Sequence, residues 1–121
     1  MYDHYKQGAI PVEPIVVCSR MSFCLGNFVK YVCRAPYKGN ERQDYKKALW
    51  YINYIDADVF DEEIKQLQKD KVLCEILACG PAIIRNLVYD RLEYDIQRNI
   101  QDALNERINE LPLIENDEQR N

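Results

Sequence analysis

Between Ala82 and Leu111 the chain contains neither glycine nor proline, and Ile84, Val88, Leu92, Ile96, Ile100, Leu104 and Ile108 recur at every fourth position. That spacing is helical, and the segment reads as one long helix. At 100° per residue each step of four turns the stripe by about 40°, so a straight helix winds it most of the way round. A single neighbour cannot cover such a stripe. Either the helix breaks, or successive stretches meet different partners, and in a chain of 121 residues other copies of the chain are the partners expected first. The residues after Glu115 are polar and belong to a frayed end.

The rest of the chain is helical by the same criterion. From Ser22 to Arg34 the apolar residues Leu25, Phe28, Val29 and Val32 fall in one sector of about 100°. Pro36 and Gly39 end this helix. Asn40 followed by Gln43 has the spacing of a capping box and opens a second helix, Glu41 to Ile55, which buries Tyr45, Ala48, Leu49 and Ile52. The pair forms a helical hairpin over residues 22–55. A third helix is expected from Asp61 to Ala78, its Asp61, Glu62 and Glu63 beside the positive end of the helix dipole and Gly80-Pro81 beyond its end. Pro11 and Pro14 make residues 1–20 an extended arm, within which Ile15-Val16-Val17 starts a short helical or extended piece. The expected fold is therefore all-α and a single domain. An arm and a hairpin precede an acidic helical region, 61–111, that drives homo-oligomerisation.

Composition narrows the function. With 47% hydrophobic and 30% charged residues the chain can bury a core. No apolar run approaches the ~20 residues of a membrane helix, and the start Met1-Tyr2-Asp3-His4-Tyr5 does not resemble a secretory signal. The expected compartment is the cytoplasm, with no membrane partner. Five cysteines without a Cys-x-x-Cys pair, and one histidine, argue for reduced thiols rather than a zinc site or a disulfide framework. Charge is segregated. Residues 1–56 carry eight Lys/Arg against five Asp/Glu, residues 57–121 eight against fifteen, and Lys30 to Lys47 alone holds six cations against two acids. A basic patch on an acidic protein suits a small anion better than a nucleic-acid polymer.

Two polar stripes carry the candidate chemistry. Asn27, Lys30, Tyr31 and Arg34 lie at i, i+3, i+4 and i+7, within about 100° of arc opposite the apolar face of the first helix. On the second helix Asp44, Lys47, Tyr51 and Tyr54 share a sector of about 80°. In an antiparallel hairpin these stripes form opposite walls of one cleft, with Lys38 in the loop at its end. Lysine and arginine neutralise phosphate oxygens, asparagine reads a base edge and tyrosine stacks on a base. Solvated helix faces with i,i+4 contacts are the alternative reading. Trp50 is taken for core or interface. The sequence has no phosphate-binding Gly-x-x-x-x-Gly-Lys loop, no dinucleotide fingerprint and no His-Glu-x-x-His helix, and no metal, cofactor or catalytic residue is expected.

The residues also form an ordered string. His4-Tyr5-Lys6, Glu13-Pro14-Ile15, Phe23-x-x-Gly26-Asn27-x-x-Lys30-Tyr31-x-x-Arg34, Lys38-Gly39 and Asp44-x-x-Lys47-Ala48-Leu49-Trp50-Tyr51 follow one another over residues 4–55. This string resembles the small phage-encoded SaV-like family, described mostly as proteins of unknown function and including a coliphage nucleotide kinase. The family's shared positions fall here on His4, Tyr5, Glu13, Gly26, Asn27, Lys30, Tyr31, Arg34, Lys38, Asp44, Lys47 and Tyr51. The family commonly has Arg-Ala-Gly-x-Lys after the first helix, and Pro36 stands here in place of that glycine.

Taken together, the stripes and the resemblance lead to three expectations. The first is a phage protein of the infected cell's cytoplasm that sequesters a phosphorylated nucleotide, a cyclic or nucleotide-derived immune signal, without turning it over. In it Lys30 and Arg34 pair phosphates with help from Lys38 or Lys47, Tyr31 and Tyr51 sandwich the base, Asn27 reads its edge, and His4 and Tyr5 close the arm over it. The second is a nucleoside monophosphate kinase. The third is an adaptor whose C-terminal helix binds a host protein.

Overall fold

Pro14, whose fixed φ suits the first turn of a helix, starts α1 (Pro14–Cys18) within the expected arm. The computed structural model describes residues 9–91 and 95–113. Among them α1 is followed by α2 (Phe23–Arg34), a 3₁₀ turn (Ala35–Tyr37), α3 (Glu41–Asn53), α4 (Ala57–Leu67), α5 (Lys71–Leu77), α6 (Ala82–Tyr89) and α7 (Ile96–Glu110). The fold is all-α, and no described helix is long and apolar enough to cross a membrane. Ile10, ahead of α1, is fully buried beside Gly80, so this part of the arm belongs to the core.

The hairpin forms as its periodicity requires. Ser22 accepts the amide of Leu25 and caps α2, which buries Leu25, Phe28, Val29 and Val32. On α3 Tyr45, Ala48 and Ile52 are buried, whereas Leu49 is only half-buried. The capping box read at Asn40 is not made, because the Asn40 side chain forms no cap hydrogen bond. The hairpin ends at Asn53, and Ile55 lies just beyond it.

The C-terminal half is more finely divided than its sequence pattern indicates. The single helix expected from Asp61 to Ala78 is two, α4 and α5, because Asp70 turns its carboxylate onto the amide of Leu73 and starts a new helix. With α4 beginning at Ala57, Glu63 is not in a first turn. Its two oxygens accept the amide and hydroxyl of Ser22, at 2.8 and 2.7 Å, and so tie α4 to the start of α2.

The long helix expected from Ala82 to Leu111 is likewise two, α6 and α7. At Asp90 the backbone turns extended, Gln68 donates its amide to the carbonyls of Leu87 and Asp90, and Asp95 caps α7 through the amide of Arg98. The break re-aims the apolar stripe. Ile84 on α6 and Ile96, Ile100, Leu104 and Ile108 on α7 are all buried within one chain, with α7 packed on α3 and α6. No second copy is needed to cover them, while Leu92 lies outside the described residues.

A cationic aromatic face on the helical hairpin

The candidate site lies on the outer side of the hairpin, opposite the core. Leu25, Phe28, Val29 and Val32 turn α2 inward, and Ala48 and Ile52 do the same for α3. This leaves Asn27, Lys30, Tyr31 and Arg34 beside Lys47 and Tyr51 on one surface, whereas Asp44, expected on the same stripe, is buried. The rings of Tyr31 and Tyr51 stack across the two helices, with centroids 6.0 Å apart and planes 11° from parallel. At the far end of α2 the Nε of Arg34 lies 3.4 Å from Oδ2 of Asp44.

These two bridges change the shape expected of the site. Two planes that hold a base between them stand about 7 Å apart, twice a carbon–carbon contact. At 6.0 Å the tyrosines meet each other, so the stripes form a continuous face rather than opposite walls of a cleft. Arg34, 43% exposed, has its Nε turned toward a carboxylate that is 1% exposed, so part of its charge compensates Asp44 within the fold.

The cations converge on the same rings. Lys30 Nζ stands 4.7 Å and Lys47 Nζ 5.4 Å from the centroid of Tyr31, one from each helix. The two ammonium groups are thus at most about 10 Å apart, and among the described residues neither has a carboxylate within salt-bridge distance. Like charges at that separation repel, and an anion placed between them relieves the repulsion.

Asn27 donates from Nδ2 to the carbonyl of Phe23 at 2.8 Å, which fixes its amide along α2. With Phe23, Gly26 and Lys30 it lines a shallow hollow of about 320 Å³ between α1 and α2. Lys38 follows the 3₁₀ turn, exposed at the Arg34 end of the face. Tyr54 leaves the stripe and stacks on Trp50 instead. His4 and Tyr5, expected to close over the site, lie outside the described residues.

Two aromatic residues join the face that the stripes did not include. Phe23 meets Tyr51 edge-on at 5.8 Å, and Trp50 does the same at 5.1 Å. Both had a signal in the spacing. At 100° per residue Phe23 falls inside the sector of Asn27, Lys30, Tyr31 and Arg34, and Trp50 lies about 40° from that of Lys47, Tyr51 and Tyr54.

The thiols are poorly suited to nucleophilic work. Burial pushes Cys18 up to about 11 against the opposing influence of Lys30, and burial chiefly, with Cys18 adding to it, pushes Cys33 up to about 12. Both are protonated at neutral pH. All five cysteines are free, and among the described residues no three His, Cys, Asp or Glu side chains group as a metal site would need.

The profile of a family described as proteins of unknown function (DUF3310) matches residues 2–53. The matched span includes every residue of the cationic aromatic face except Tyr54. No curated protein and no solved structure matches the chain.

Proposed function

We propose that the α2–α3 face binds a phosphorylated nucleotide and holds it without turnover. The observation that carries this reading is the placement of Lys30 and Lys47, from two helices, over one ring of the Tyr31–Tyr51 stack with no described carboxylate beside them. Phosphate oxygens answer the two ammonium groups, and a base answers the outer face of the stack. Asn27 and Lys30, on the wall of the neighbouring hollow, add polar groups for the sugar or the base edge.

Retention rather than phosphoryl transfer is favoured by the state of the one carboxylate on the hairpin's polar stripes. Asp44 is buried and ion-paired, whereas a general base must reach the proton it removes. In its fullest form the reading is a phage-encoded sponge that removes a cyclic or nucleotide-derived signal from the cytoplasm of an infected bacterium. Its oligomeric state is open to a sedimentation measurement.

The test is to incubate the protein with mononucleotides and cyclic di- and trinucleotides, with and without ATP and magnesium. The protein is then denatured and the released ligand identified by mass spectrometry. Intact ligand is expected, and Lys30→Ala or Lys47→Ala is expected to weaken its binding about tenfold, the value of one charge-assisted hydrogen bond. A phosphorylated product would replace this reading with a nucleotide kinase. Absence of any bound nucleotide would leave an adaptor.

A further inference from the structure

Trp50 on α3 and Tyr54 at its C-cap have ring centroids 5.3 Å apart and planes 21° from parallel, yet they are 59% and 69% exposed. The core does not use them, since α3 faces it with Ala48 and Ile52. They form a second stacked pair, and it is continuous with the first. Trp50 meets Tyr51 edge-on at 5.1 Å and 86°, so one ring-to-ring contact separates the two pairs. Lys47 sits three and four residues before Trp50 and Tyr51, on the side of α3 that serves both pairs.

We propose that this face takes a ligand with two nucleobases joined through phosphodiester groups, one base on Tyr31–Tyr51 and the other on Trp50–Tyr54. The proposal rests on nucleotide binding at the first pair and adds the second platform, which turns Trp50 and Tyr54 into binding residues. Successive aromatic side chains take successive bases in proteins that bind single strands, so a second platform adds affinity for a second base. The charge agrees. The two phosphodiesters of a cyclic dinucleotide, or the linking and terminal phosphates of a linear one, are matched by Lys30 and Lys47. A mononucleotide on the first pair leaves Trp50 and Tyr54 uncovered.

Trp50 is the only tryptophan, so its emission reports directly on the second platform. The full-length protein is titrated with AMP, linear pApA and cyclic di-AMP, and with their guanine counterparts. Affinities come from calorimetry and occupancy of the platform from Trp50 emission. The two-base probes are expected to bind at least tenfold more tightly than the mononucleotide and to quench Trp50, and the linear and cyclic arms identify which form is preferred. Trp50→Ala is expected to lower two-base affinity at least tenfold, and Trp50→Phe, which retains a stacking ring, to restore most of it.

Mononucleotide binding that equals two-base binding, with Trp50→Ala without effect, overturns the second platform and leaves nucleotide binding standing. Failure of every probe overturns both. Affinity that keeps rising through longer single-stranded oligonucleotides reassigns the face to a nucleic-acid strand. Trp50 emission that follows protein concentration without ligand, with doubling of the mass, assigns the pair to a contact between two copies.

Discussion

Gly26 shows how a single missing side chain positions the site. A Cβ at this residue would lie 2.9 Å from the carbonyl oxygen of Cys18, a backbone atom that cannot move without displacing α1. Gly26→Ala is therefore expected to destabilise the protein by about 1–3 kcal/mol in urea unfolding, an overpacking cost. An unchanged midpoint would show that α1 yields freely. Gly39, at φ +80, answers a different need, a left-handed backbone between the 3₁₀ turn and α3. The thiols give a second expectation. Unfolded cysteines ionise near ~8.5, whereas Cys18 and Cys33 hold their protons to about 11 and about 12. The unfolded state loses protons first, so their contribution to stability is complete below the unfolded range and falls as pH rises toward 12. Iodoacetamide at pH 8 should modify exposed Cys79 first and buried Cys33 last, and early labelling of Cys33 by peptide mapping would contradict its burial.

Among the elements, two glutamines decide where helices end. Gln97 on α7 donates its amide to the carbonyls of Ile52 and Ile55, at 3.0 and 2.7 Å, and closes the C-terminal end of α3. Gln97→Met keeps the length of the side chain and removes both donors. It is expected to cost about 1–3 kcal/mol by leaving the Ile55 carbonyl without its Gln97 donor, with hydrogen exchange accelerated in the last turn of α3; exchange that is unaltered there would refute the role. Gln68 serves α6 in the same way. Gln68 and Asp95 account for the break between α6 and α7, and Asp70 for that between α4 and α5. Asp70 and Asp95, directly before Lys71 and Ile96, carried an N-cap signal that the absence of glycine and proline outweighed. The glutamine contacts carried none, because their partners are 19 to 45 residues away.

For the molecule as a whole, the break between α6 and α7 lets one chain bury a stripe that a straight helix would have shared among partners. Leu104, fully buried on α7, should lose about 2–5 kcal/mol of stability as Leu104→Ala. Sedimentation should show its mass unchanged at concentrations where it remains folded, and a shift in mass would return the stripe to a subunit interface. The charge asymmetry survives folding as a division of labour. The basic hairpin carries the face, and the acidic helices buttress it through Ser22–Glu63 and through the 3.0 Å pair of Arg107 with Glu41. The all-α class, the limits of α2, the inward faces of the hairpin, and the grouping of Asn27, Lys30, Tyr31 and Arg34 were legible along the chain. They follow from 3.6-residue periodicity and capping, which act within a few residues of chain. Packing between helices set the rest: Tyr31 meets Tyr51, Arg34 turns to Asp44, Trp50 and Tyr54 stay on the surface, and Ile84, Ile96, Ile100, Leu104 and Ile108 are buried within their own chain. Each of these depends on which helix faces stand side by side, and that is settled by packing the whole core at once.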